Sequence, residues 1–188
     1  MNRFNTGNLS KWLFNPFIYV AGEQALFIGW AGMLAASVVS YFSKTHFDGA
    51  IDIHFGASGK YLWFLGEQLI AWFSVVVVLY PLGLIFSKSR IRLIDVAGTL
   101  AMARVVTLPV ALMGFLPIYP VNLDNPVKLM LSVVLTIIPA IWMVALMFNA
   151  FSVSANIRQG KAVACFIVGI LIAEILSKTL IFYLFPFL

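Results

Sequence analysis

Apolar residues run in five long stretches, at about residues 23–43, 61–86, 96–119, 126–151 and 162–186, broken only by short polar connections. At about 1.5 Å of rise per residue, a helix over any of them reaches across the roughly 30 Å hydrocarbon layer of a bilayer. The pattern predicts an all-α membrane protein, a five-transmembrane-helix bundle over 23–188 with a short interfacial segment, 1–22, ahead of it. Within that segment Trp12, Phe14, Phe17 and Tyr19 suit the headgroup layer, and Asn15-Pro16 reads as the cap and first position of a short helix ending at Gly22. Pro81, Pro109 and Pro139 each remove one backbone bond and are expected to bend the second, third and fourth helices. Small residues recur every four positions in the first stretch (Ala25 and Gly29; Gly32, Ala36 and Ser40) and the fifth (Gly169, Ala173 and Ser177). Such ridges let helix backbones approach closely.

Composition removes the soluble alternative. Hydrophobic residues make up 62% of the chain and charged residues 10%, where a water-soluble domain carries about a quarter charged residues. The net charge of +5 is spread over the connections instead of clustering on one face, which speaks for orientation in a membrane and against nucleic acid. Arg3, Lys11, Lys88, Arg90, Arg92, Arg158 and Lys161 fall on one side; Lys44, Lys60 and Lys128 fall on the other. The positive-inside rule then puts the amino terminus in the cytoplasm and the carboxyl terminus outside. Asn15-Pro16 interrupts the first apolar run and no small-residue cleavage site follows it, so the amino-terminal residues are expected to be retained. The single cysteine, Cys165, reads as a packing residue.

Glu67, Arg104, Glu174 and Lys178 lie inside the apolar stretches. Charge at that depth costs several kcal/mol unless it is paired or hydrated. Their depths along the spans match Arg104 with Glu174 and Glu67 with Lys178, an expected intramembrane charge network that holds the bundle together, carries a proton or ion, or binds lipid headgroups.

The first connection, Thr45-His46-Phe47-Asp48-Gly49-Ala50-Ile51-Asp52-Ile53-His54, contains both histidines of the chain. Asp48-Gly49 is a turn signal, and Ile51, Ile53 and Phe55 alternate with Asp52 and His54 as on a two-faced strand. A turn at Gly49–Ile51 sets Asp48 opposite Asp52 and His46 opposite His54, with all four side chains on one face. Two imidazoles and two carboxylates can hold a divalent metal such as zinc or manganese, although the spacing is no standard motif. A hydrated interfacial hairpin and a pH-sensing role are the alternatives. In the second connection Lys88, Arg90 and Arg92 are placed to meet anionic lipid headgroups or an acidic partner, and Asp95 to begin the third helix. Gly56-Ala57-Ser58-Gly59-Lys60 lacks the spacing of a phosphate-binding loop.

Phe14-Asn15-Pro16-Phe17, the stretch from Ser87 to Arg104 and the lead from Ser154 to Ala162 into the last span resemble bacterial members of the YIP-type (Ypt/Rab-interacting) membrane protein family. The resemblance implies a five-helix fold with a cytoplasmic amino terminus and supplies no catalytic residues. Eukaryotic relatives bind small GTPases with help from a longer soluble amino-terminal region, whereas about 22 residues precede the first span here. The expectation is a non-enzymatic membrane scaffold contacting membrane lipids, a partner membrane protein or a second copy in a homo-oligomer. A small transporter or channel using the buried charges, and a metal-dependent membrane enzyme using the His/Asp loop, are the alternatives.

Overall fold

The structure is a computed structural model that describes residues 6–119 and 124–185. Arg3 and the last position of the fifth predicted span, 186, lie outside the described residues. Helices α1 (Thr6–Phe14) and α2 (Gly22–Ser43) lead into a two-stranded hairpin, β1 (Thr45–His46) and β2 (His54–Phe55). Then follow α3 (Tyr61–Phe86), α4 (Leu93–Ala103), α5 (Thr107–Met113), α6 (Pro126–Ser154) and α7 (Gln159–Leu184). Among the described residues, five helical units are long and apolar enough to cross a membrane: α2, α3, the unit α4–α5, α6 and α7. The chain is an all-α, five-helix integral membrane protein. Large apolar side chains such as Phe27, Ile85, Ile141, Ile175 and Phe182 point outward, as lipid-facing residues do in a bundle with little water contact.

The small-residue ridges are where the backbones meet. A Cβ on Gly29 would lie 2.3 Å from the Ala101 carbonyl carbon, and one on Gly98 2.3 Å from the Gly22 carbonyl oxygen. These contacts bring α2 against α4, its most extensive neighbour. Gly169, Ala173 and Ser177 are buried where α7 crosses α3. Since lipid tails are as apolar as the core, such close approach, with its dispersion contacts, is a main source of helix association in a membrane.

The third span stops being α-helical at Arg104–Val106, where it tightens into a 3-10 turn. Pro109 accounts for the position: it has no N–H to offer the Val105 carbonyl four residues back, and its ring crowds that group. The helical span runs over Leu93–Met113 instead of the predicted 96–119, and turns occupy the residues after it. Pro81 and Pro139 lie inside α3 and α6 as expected.

Pro16 opens a short 3-10 helix, Pro16–Ile18, with Asn15 at its cap position, but the helix ends well before Gly22 and Asn15 makes no side-chain cap bond. The pattern missed α1. Its final carbonyls, left without partners by the end of the helix, accept hydrogen bonds from α6: Trp142 Nε1 donates to Leu13 O and Asn149 Nδ2 to Phe14 O, both at 2.8 Å.

Candidate functional site

The strands pair antiparallel in the expected register, Thr45 with Phe55 and His46 with His54. The hairpin between them does not rest on the surface, as a hydrated loop would. Phe47 and Ala50 are fully buried, and the tip enters the bundle between α3, the third span and α7. Arg104, which meets the tip, is about 16 Å along the third span from Leu93, near its middle. Irregular backbone at such depth requires every N–H and C=O to find a partner in the protein.

The residues singled out for their charge supply those partners. Ala50 N donates to Ser177 Oγ at 3.0 Å, and Ile51 N to Glu174 Oε2 at 3.0 Å. Arg104 Nη1 donates to the Ala50 carbonyl at 3.0 Å and Nη2 to Gln68 Oε1 at 3.2 Å. Glu67 Oε2 accepts from Phe47 N at 3.1 Å, and its other oxygen lies 2.7 Å from His46 Nδ1. Gly49 is the residue that permits this seating, because a Cβ there would lie 2.3 Å from Glu174 Oε1. The sequence offers Asp48-Gly49 as a turn but does not reveal what the turn is packed against.

The expected pairings are corrected accordingly. Glu67 pairs with His46 and not with Lys178; Lys178 pairs with Asp52. Arg104 makes no direct ion pair with Glu174 among the described residues, although the Glu174 charge still acts on it. Depth arithmetic failed because it assumed that spans contact only one another, whereas the inserted hairpin stands between them.

His46 and Glu67 are each 1% exposed, and His46 Nε2 faces the Ala57 carbonyl at 3.1 Å. A carbonyl only accepts, so Nε2 must carry a hydrogen. Nδ1 is then the ring nitrogen that meets the Glu67 carboxyl group. This buried acid–histidine couple, with Gln68 beside it, was invisible to periodicity. The signal available was one buried acid and two histidines in a chain so poor in charge.

His46 is thereby removed from the predicted four-ligand set. Asp48, Asp52 and His54 remain together, each offering a ligand atom within 4.8 Å of the others. His54 Nδ1 lies 3.2 Å from Asp48 Oδ1, and its ring stacks on His46 with centroids 5.0 Å apart. The Asp48 carboxylate beside it raises the His54 pKa above its ordinary 6.5, against the opposing pull of burial. Burial pushes the Asp48 carboxyl up, but the close approach and charge of His54, with the charge of Lys178, outweigh it and leave the pKa lowered. The His54 contribution to stability is therefore full below pH 6.5 and fades as pH rises through its raised value. That of Asp48 is full above 3.8 and fades as pH falls through its lowered value. The pair holds best between those limits.

The trio suits a divalent cation in donor type, but the Lys178 ammonium already rests on Asp52 and lies 3.8 Å from Glu174. A metal ion there would have to displace it. Alongside runs a cleft of about 330 Å³ lined by His54, Phe55, Ser132 and Thr136 among others. Phe55 stacks on Tyr119, whose hydroxyl lies 2.8 Å from Thr136 Oγ1, tying the returning strand to α6.

At the opposite end, Lys88, Arg90 and Arg92 are exposed. Arg92 is held by Asp95 in the first turn of α4, at 2.8 Å. Ser89 and Asn156 join the second and fourth connections through their side chains at 3.3 Å. The chain matches no family model, no curated protein and no solved structure.

Proposed function

We propose that the chain is a non-enzymatic membrane scaffold of the YIP type that holds lipids or partner proteins against a rigid bundle. Its place is a bacterial inner membrane, with the amino terminus cytoplasmic and the carboxyl terminus outside. One observation carries the reading: Glu67, Arg104, Glu174 and Lys178 are all engaged with the inserted hairpin, leaving these groups to anchor it instead of forming a relay across the bilayer. Toward the basic end, Leu79, Leu100, Met147, Phe151 and Phe166 fill the space between the helices. Helix α6 has the least covered surface, with 17% of its most apolar window buried, and gives a partner the widest face to meet.

Two measurements on protein reconstituted in liposomes test this reading together. Proton and potassium leak should equal that of protein-free vesicles. A photoreactive residue at outward-facing Ile138 should give a discrete protein adduct, either a second copy or a partner, while one at buried Ile170 gives none. Saturable flux abolished by Glu174→Gln, without any Ile138 adduct, overturns the scaffold reading in favour of transport.

A second reading, a metal-dependent site at the hairpin, is favoured by the Asp48, Asp52 and His54 grouping beside an open cleft. In it zinc or manganese takes the position of the Lys178 ammonium. One equivalent of metal retained after dialysis, lost in Asp48→Ala/His54→Ala and tightened in Lys178→Met, is the expected result. Equal retention by wild type and the double variant removes the site.

A further inference from the structure

Helices α3 and α7 touch tightly at one level and part toward the basic end. At Gly169 a Cβ would lie 2.4 Å from Leu79 Cδ2 and 3.0 Å from Leu82 Cδ1, so the two helices are in contact there. Beyond that point they enclose a groove of about 410 Å³ lined by Leu82, Phe86, Lys161, Ala164, Cys165 and Val168. The four α7 residues fall at i, i+3, i+4 and i+7, a single stripe on one helix face. Leu82 and Phe86 are likewise four apart on the last turns of α3. The result is an apolar wedge, closed at its inner end by the Gly169 contact, with one cation, Lys161, at the end nearest the start of α7.

Charge at that end is positive. Lys88 and Arg90 in the connection after α3, and Arg158 just before α7, are exposed. Arg92 is neutralised by Asp95, and the remaining acid at this end is Glu23 in the first turn of α2. The first turn of α7 has neither an acidic residue nor a side-chain cap, so its free N–H groups add to the same field.

We infer that the α3–α7 wedge binds an anionic phospholipid, with one acyl chain laid between the helices and the phosphate on Lys161. The wedge gives shape to the chain, and Lys161, the one cation in its lining, selects the headgroup. Apolar walls alone would accept any lipid of the leaflet, whereas a lysine beside them prefers those with net negative charge. The inference deepens the scaffold reading by naming a ligand. It stands or falls separately, because its test reads lipid retention and neither flux nor partner capture.

Cys165, the only cysteine of the chain, lies in the wall of the wedge but is buried, so the reporter is the exposed Val168 of the same wall, as Val168→Cys in a Cys165→Ala background. Protein in a neutral detergent is to be titrated with phosphatidylglycerol, with phosphatidylcholine of the same chains, and with inorganic phosphate. Bound lipid is counted by native mass spectrometry, and the Val168→Cys thiol is timed against a membrane-permeant maleimide. Phosphatidylglycerol should be retained and slow the labelling; phosphatidylcholine should do so about fivefold less well, the share of one juxtamembrane cation. Lys161→Ala should erase the difference and Lys161→Arg restore it. Ala164→Trp, on an exposed position and filling the wedge, should abolish retention of both lipids at an unchanged melting temperature. Equal binding of the two lipids by wild type, an undiminished preference in Lys161→Ala, or protection of the Val168→Cys thiol by inorganic phosphate alone each overturns the proposal.

Discussion

Replacing Arg104 by Met is expected to remove about 3–5 kcal/mol of stability, the usual consequence of deleting one member of a buried charged network. Arg104 is 1% exposed, and its guanidinium holds both the Ala50 carbonyl at the hairpin tip and the Gln68 amide oxygen. Methionine fills most of the volume but donates nothing. It strands a carbonyl in the membrane interior and withdraws the positive charge that acts on Glu174. Titration with a denaturing detergent, followed by tryptophan fluorescence, measures the loss. Arg104→Lys should recover part of it, since lysine keeps the charge while losing the two-pronged geometry. If Arg104→Met stays within about 0.5 kcal/mol of wild type, the level expected of an ordinary surface change, the hairpin is not held in this way.

Gly29→Leu should do comparable damage by a different route. The atoms a Cβ would strike are the Ala101 carbonyl carbon at 2.3 Å and the Met102 nitrogen at 2.5 Å. Both are backbone, so no side chain can swing aside and α2 must separate from α4. Overpacking commonly costs 1–3 kcal/mol where neighbours can yield, and here they cannot, so about 3 kcal/mol or outright failure to accumulate is expected. Gly160 supplies the contrast. A Cβ there meets nothing within 4 Å, and Gly160→Ala should be neutral or stabilise by up to about 1 kcal/mol through the unfolded chain. The same detergent titration decides both. Equal stability of the two variants would mean that α2 and α4 do not cross where described.

The five spans were legible because a bilayer leaves a helix few alternatives, and a run such as Trp72 to Tyr80 has nothing else to become. The small residues read correctly for the same reason: Gly29 and Gly169 are informative wherever helices must touch. The register of the hairpin was also legible, since Asp48-Gly49 and the alternation after it fix which residues face each other. What could not be read is the third dimension of that hairpin. Nothing local to Gly49-Ala50-Ile51 says that it leaves the surface, and its partners Ser177 and Glu174 come more than 120 positions later. The amino-terminal helix escaped for a similar reason. Thr6–Phe14 is too short to announce itself by period, and its end is completed by Trp142 and Asn149. Chemistry supplied from afar leaves little trace in the segment that receives it.

That separation has a consequence for biogenesis. Ser177 and Glu174 belong to a helix that leaves the ribosome three spans after the backbone they secure. Throughout synthesis of the three intervening spans, Ala50 and Ile51 have only water to satisfy their amides. The newborn connection must wait at the aqueous boundary and sink to its final level after α7 arrives. Seating of the hairpin therefore waits for α7, and a polypeptide cut short before residue 174 carries four earlier spans with an unfastened loop.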